Sequence, residues 1–281
     1  MAYIDRIREC SVYDPSKYVP FMVGDVCVGQ IETETVAYLR EHTDVFWVSD
    51  AAVHLQPDLD GFDDRTAAFA HVTATLRDGG LIPGWRDEPS PVGGAFNLPP
   101  LFEMERASVP LFGVRGYGVH MNGWLSRGAD TLMWVGRRSL SKPTGPGKLD
   151  QMVAGGQPAG LSLFENLIKE CDEEAGIPED LAAQAKPVGT ISYMTGRAEG
   201  LRNDVLFNFD LEVPDGFTPV NQDGEVAEFM LWPIEQVIEK IQNTEEFKFN
   251  AALVIIDFLV RRGFVPADDP DYVDILAGLH Q

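Results

Sequence analysis

Between positions 162 and 176, apolar residues fall three and four apart. Phe164, Leu167, Ile168, Cys171 and Ala175 trace one stripe, which predicts a helix half-buried against a core. Ser162 and Glu165 form an S-x-x-E capping box at its start, and Gly176, followed by Ile177 and Pro178, supplies the stop. At about 100° per residue, Glu170, Glu173 and Glu174 share an arc of about 100° on the side opposite the stripe, and Asp172 points elsewhere.

Upstream, 23–31 and 45–48 read as short strands, and 35–42 and 65–77 as helices, the latter between Asp63-Asp64 and Gly79-Gly80. The stretch 84–100 is rich in Gly and Pro and reads as irregular connecting chain. It carries Trp85-Arg86-Asp87-Glu88, which is either a buried tryptophan with paired flanking charges or a substrate-facing element. From Gly116 the pattern changes. The runs 118–124 and 131–138 suggest a hairpin, and 141–147 a loop. Further strands are expected over 188–195, 204–213 and 225–232, and helices over 233–242 and 250–262. This order predicts an α+β chain in two parts, an N-terminal α+β domain over 1–112 and a second domain over 113–281.

Length and composition narrow the partners. A chain of 281 residues with 44% hydrophobic positions can build a large core and is not of disordered type. Its 44 acidic against 22 basic groups leave a formal charge of −22, which disfavours nucleic acid and anionic membranes and favours a small substrate held by a local basic pocket. Cys10, Cys27 and Cys171 form no C-x-x-C pair, so a reducing compartment is expected. The first ten residues lack an apolar signal core, and the longest apolar run, 251–260, contains Asp257 and is too short to span a bilayer. A cytoplasmic location is the expectation.

Three carboxylates on one arc raise one another's pKa unless something positive sits among them. A hard divalent cation, Mg²⁺ or Mn²⁺, suits oxygen ligands and bridges to phosphates, whereas the plainer alternative is a solvated acidic helix face.

The surrounding glycines extend this pattern. The segment 155–177 resembles the Nudix box, Gly-x5-Glu-x7-Arg-Glu-U-x-Glu-Glu-x-Gly-U with U a bulky apolar residue. It matches at Gly155, Glu170, Cys171, Glu173, Glu174, Gly176 and Ile177, with Leu161 in place of the first glutamate and Lys169 in place of the arginine. The stretches 118–124, 135–139 and 142–150, with 102–106 and 110–113, are similar to a narrower group, two-domain Nudix proteins named for relatedness to thiamin pyrophosphokinase. The resemblance implies a Nudix fold, a mixed sheet between helices, preceded by an N-terminal domain of uncharacterised function. It also implies that Glu170, Glu173 and Glu174 hold the metal, that the missing first glutamate supports the loop, and that residue 169 orients a glutamate. Characterised members of the group hydrolyse diphosphates, including damaged forms of thiamin diphosphate.

For phosphate binding, Arg137, Arg138, Lys142 and Lys148 cluster just before the box, joined by Lys169 within it. Arg137 and Arg138 are neighbours on an expected strand, so only one can face the site. Gly155-Gly156 lets the backbone approach metal and phosphate oxygens. The resemblance implies a general base that is either a box glutamate or a glutamate on a later loop, for which Glu225 and Glu228 are the candidates. His120 and Trp124 share a strand face and either stack on a ring or belong to the core. The expected function is metal-dependent hydrolysis of a small diphosphate, thiamin diphosphate or a damaged analogue, whose positive ring an acidic protein would tolerate. Two other readings stay open: an ADP-ribose or nucleotide-sugar pyrophosphatase, and a catalytically silent ligand-binding protein, motivated by Leu161 and Lys169. The N-terminal domain supplies specificity, a homodimer interface, or neither.

Overall fold

The computed structural model describes residues 2–281. In chain order its elements begin with α1 (Tyr3–Glu9), β1 (Tyr18–Val23), β2 (Val26–Glu32), α2 (Val36–Leu39), β3 (Phe46–Val48), β4 (Val53–Leu55), α3 (Phe62–Asp78), β5 (Pro89–Val92), β6 (Phe102–Glu105) and α4 (Val109–Phe112). The strand expected over 23–31 starts only at Val26, as β2, because the chain turns at Gly24-Asp25 and Val23 closes β1, which pairs with β2 as a hairpin. Strands β1 to β4 form one sheet in the order β2-β1-β4-β3, and α3 covers it. Phe21, Phe46, Phe69 and Phe112 meet there with ring centroids 5.3–6.2 Å apart, within the range of favourable aromatic packing. The stretch 84–100 is not wholly irregular. Pro89–Val92 pairs with Phe102–Glu105, which fixes the charged tetrapeptide to this core.

The second part contains β7 (Arg115–Arg127), β8 (Asp130–Arg138), β9 (Leu149–Asp150), β10 (Val153–Gly156), α5 (Leu163–Ala175), α6 (Glu179–Ala182), β11 (Lys186–Arg197), β12 (Gly200–Glu212), β13 (Val226–Pro233), α7 (Ile234–Asn243), α8 (Phe249–Arg261) and α9 (Tyr272–Gly278). Its sheet runs β11-β12-β7-β8-β13, with β7 and β12 parallel and the other neighbours antiparallel. Strand alternation gives it two apolar faces. Val119 and Met121 meet Leu167, Cys171 and Ala175 of α5 on one side, and Trp124, Ile191 and Tyr193 meet α8 on the other. The result is a mixed sheet between helices, as the box resemblance implies.

Two features set up the site. Strand β7 pairs with β8 only through Trp124–Arg127, and further along it pairs with β10 through Gly118–Met121. The segment 149–156 therefore wedges between diverging strands and brings Ala154 alongside His120 and Gly155-Gly156 alongside Val119 and Gly118. The second feature crosses the expected division at 112. Tyr3, Ile4, Ile7 and Cys10 of α1 pack into the core of α7, α8 and α9, not against the first sheet. No helix among the described residues is long and apolar enough to cross a membrane.

Candidate active site

The box helix forms as its sequence dictates. Glu165 N–H donates to Ser162 Oγ at 3.2 Å, Ser162 N–H donates to Glu165 Oε2 at 2.9 Å, and Gly176 ends the helix at φ +60°. Leu167, Cys171 and Ala175 are fully buried, whereas Phe164, placed on the same stripe, is 39% exposed because the core stops short of the first turn.

The three glutamates do not share an open face. Glu170 and Glu173 line a cleft of about 280 Å³. Glu174 is only 5% exposed, because β10 closes over that flank of α5, and its carboxylate accepts the Ala154 N–H at 2.7 Å. It borders a small void beside Asp150, Gln151 and Glu225. Burial pushes the Glu174 carboxyl well above its usual range, with Glu170 adding to the effect. Glu170 is also raised, first by burial and then by Glu173, with Lys169 opposing. Lys169 Nζ lies 2.5 Å from Glu173 and 3.4 Å from Glu170, so a point charge does the orienting expected of the family's arginine.

Among the described residues no group of three or more His, Cys, Asp or Glu side chains is gathered closely enough to hold a metal ion. The donors are nonetheless of the right kind. Glu170 and Glu174 are carboxyls whose ionised forms burial disfavours, and an added cation relieves that cost with oxygen ligands a hard divalent ion prefers.

Gly155 and Gly156 belong to β10, not to an open loop, and both are needed for close approach. A Cβ on Gly155 would lie 2.2 Å from Glu170 Cδ, and one on Gly156 would lie 2.0 Å from Arg106 Nη2. The chain that follows is held without the family's first glutamate. Gln157 Nε2 donates to the Leu161 carbonyl at 2.6 Å, and Asn166 Nδ2 donates to the Gly156 carbonyl at 2.8 Å and to Gln157 Oε1 at 3.2 Å.

Of the four cations expected before the box, Arg138 and Lys142 reach the cleft. Arg138 pairs with buried Asp150 at 2.8 Å, and Lys142 pairs with Glu225, which also lines the cleft. Arg137 does not reach it, because alternation along β8 turns it to the outer face, where it meets Glu228 at 2.7 Å. Glu228, 53% exposed in its side chain, is therefore outside the cleft as well. Lys148 is spent on the Glu245 carbonyl. Burial alone would raise Asp150, but Lys248 and Arg138 beside it hold its carboxyl below the usual range.

Several residues outside the box and the cation cluster before it, Arg106, Arg202, Asp204 and Lys248, also line the cleft. Arg106 ends the 102–106 stretch that resembles the narrower group, and Lys248 leaves a trace as a single charge between Phe247 and Phe249. The charged tetrapeptide divides: Arg86 and Glu88 face the cleft, while Trp85 packs at the edge of the first core beneath Arg77. In all, seven Lys and Arg side chains face six Asp and Glu side chains in the cleft. The acidic character of the surface thus ends at its rim, so the expected advantage for a positively charged ring is not built into the walls.

His120 lines the cleft and Trp124, on the same strand face, belongs to the core. His120 is 4% exposed, with Nδ1 2.9 Å from Gln151 Oε1. Burial, then Lys248, lowers its pKa from 6.5 to about 4. Between those values the unfolded chain binds more protons than the folded one, so this group costs stability as pH falls through that window. Glu170 and Glu174, raised in the folded state, act with the opposite sign. The difference between wild type and His120→Gln isolates the histidine. From about pH 7 to pH 5, wild type should lose about 2 kcal/mol of urea-measured stability relative to the variant. Parallel pH profiles would sink this assignment.

A family model described as a domain of unknown function (DUF4743) matches residues 2–116. The chain is 44% identical over 277 residues to Nudix hydrolase 24, chloroplastic, of Arabidopsis thaliana, covering 97% of this chain and 76% of that protein. It is 45% identical over 284 residues to Nudix hydrolase 20, chloroplastic, of the same plant, with the same coverage. Among solved structures, the NUDIX domain of Shewanella oneidensis NrtR complexed with ADP ribose aligns at a TM-score of 0.43 and 14% identity, over 54% of this chain and 90% of that one. With identity at this level over nearly its whole length, the protein belongs to the Nudix hydrolases, a family that cleaves diphosphates and generally uses divalent cations.

Proposed function

We propose that this protein hydrolyses a small diphosphate, with thiamin diphosphate or a damaged analogue as the substrate class, in the cleft between α5 and the Arg138–Lys142 segment. The observation that carries this reading is that Glu170 and Glu173 share one cleft of about 280 Å³ with Arg138 and Lys142, which puts carboxylates for a cation and cations for a diphosphate in one place. Glu170, Glu173 and Glu174 would hold Mg²⁺ or Mn²⁺, and the ion when bound neutralises phosphate charge and favours ionisation of a nearby water.

The protein's own groups do the rest. Arg138 and Lys142 take phosphate oxygens, and Asp150 and Glu225 hold those two cations in place. Burial raises Glu225, but Lys142 outweighs it and keeps the carboxylate below its usual range, so that it is ionised at neutral pH and accepts a proton once Lys142 turns to a phosphate oxygen. In the reaction a water oxygen bonds to one phosphorus, the bridging P–O bond breaks, and the bridging oxygen leaves with the second phosphate. One proton of the water passes to Glu225 and then to solvent. His120, uncharged at neutral pH, shapes the floor without adding charge.

Because the cleft cations match the acids, a neutral damaged ring is at no disadvantage against a thiazolium. The test is a release assay with Mg²⁺ and with Mn²⁺ on thiamin diphosphate, oxidised thiamin diphosphate, ADP-ribose, NADH and triphosphate-ended RNA. Release from the thiamin compounds and none from RNA is expected. A preference for ADP-ribose would move the protein to the nucleotide-sugar class, and no release from any substrate would establish a silent binding protein.

A further inference from the structure

Beside the cleft lies a second cavity of about 340 Å³, which shares Arg86, Arg106 and Arg202 with it and adds Arg197. Glu199 is the one carboxylate among its lining residues. Three of the four arginines are tied down. Arg106 Nη1 donates to both carboxylate oxygens of Glu88 at 2.8 Å, Arg202 meets Glu199 at 2.9 Å, and Arg197 lies 4.3 Å over the Phe249 ring while donating to the Glu9 carbonyl. The Arg86 guanidinium has no hydrogen bond or ion pair within 4 Å among the described residues, although it borders both cavities.

The turn that presents Arg86 is firmly built. Buried Glu105 accepts the backbone N–H groups of Arg86 at 3.0 Å, Glu88 at 3.3 Å and Ala107 at 3.0 Å. Between them Asp87 sits at φ +57°, the one non-glycine residue with positive φ among those described, and its carboxylate accepts the Trp85 indole N–H at 2.7 Å. A conformation this costly persists only where its surroundings over-determine it, and such sites cluster where a group is held for use. The pKa of Arg86 is lowered by burial and then by Arg106, with Glu88 and Glu225 opposing from beyond ion-pair distance.

We propose that this arginine-walled cavity is a subsite for a terminal phosphate, and that the N-terminal part of the chain thereby selects diphosphate monoesters over diphosphate diesters. The inference rests on the diphosphate-hydrolase reading above and assigns the terminal phosphate of that substrate to named residues. A terminal phosphate carries up to two negative charges and three free oxygens, which suits several convergent guanidinium groups. Each phosphate inside a diester carries one charge and is flanked by a bulky ester group. Arg86 is the selective contact, because it alone must find its partner in the ligand.

Two measurements on the full-length protein test this. Inorganic phosphate is titrated calorimetrically without metal into wild type, Arg86→Gln and Arg86→Lys. Loss of one charge-assisted contact should weaken binding about tenfold in Arg86→Gln, with Arg86→Lys between the two. Equal affinities in wild type and Arg86→Gln would overturn the subsite. In the kinetic arm, Arg86→Gln should raise KM for thiamin diphosphate about tenfold with little change in kcat, and raise KM for ADP-ribose distinctly less. Equal rises for both compounds would overturn the selectivity. If wild type hydrolyses neither, the hydrolase reading fails while the phosphate titration still decides the subsite. Arg86 has no partner to lose, so the fold should survive, and an unchanged melting temperature checks that.

Discussion

Glu170→Gln should lower kcat about a hundredfold, in line with removing one charged contributor to a preorganised site. Glutamine keeps the volume, so packing beside Gly155 is preserved and what disappears is the negative charge. Glu170 is partly buried at the cleft wall, where that charge is costly and therefore most responsive to a cation. The melting temperature should change little, because the long contact with Lys169 is lost while the burial penalty is relieved. Manganese affinity should fall in parallel with kcat. A variant with near-normal turnover would remove Glu170 from the site. The same change at Glu174 touches the fold as well, since that group is buried against Ala154 N–H and not on an open helix face.

Gly155→Ala should be as damaging to kcat by a different route. Its Cβ would lie 2.2 Å from Glu170 Cδ and 2.4 Å from Cγ, so the glutamate must swing away from the cleft. Overpacking of this kind costs about 1–3 kcal/mol, and a urea titration would read it. The two mutations act on one group, so Gly155→Ala combined with Glu170→Gln should be little worse than either alone. Full additivity in kcat would mean that Gly155 serves something other than Glu170. Gly156→Ala is the matching comparison. Its Cβ would displace the Arg106 guanidinium instead, and the expected change is in KM.

The limits of the sequence reading follow from how far apart the relevant residues lie. The cap residues Ser162, Glu165 and Gly176 act within one helix, so the start and stop of α5 were legible from a few neighbouring positions. Alternation showed that Arg137 and Arg138 must part, and the sheet decided which one turns inward: Val226 pairs with Arg138 and Glu228 with Arg137 on either side of an irregularity. The strand read over 23–31 is present as β2 from Val26, but its start was misplaced, because Gly24-Asp25 turns the chain and Val23 closes the preceding strand β1.

From the sequence alone came the box helix, the mixed sheet between helices, the weight of acidic charge and the site glutamates Glu170 and Glu173. The helix and the charge rest on periodicity, capping and composition, which are properties of neighbouring residues or of the whole count, while the sheet and the candidate role of the two glutamates rest on the resemblance to the Nudix box. The burial of Glu174 under β10, the packing of α1 on α8 and α9, and the meeting of Arg86 and Arg106 with Arg202 and Lys248 came only with the tertiary structure. Each depends on chain segments from about ten to more than two hundred residues apart being brought together by strand pairing and core burial, and no local pattern encodes which distant charges will face one another.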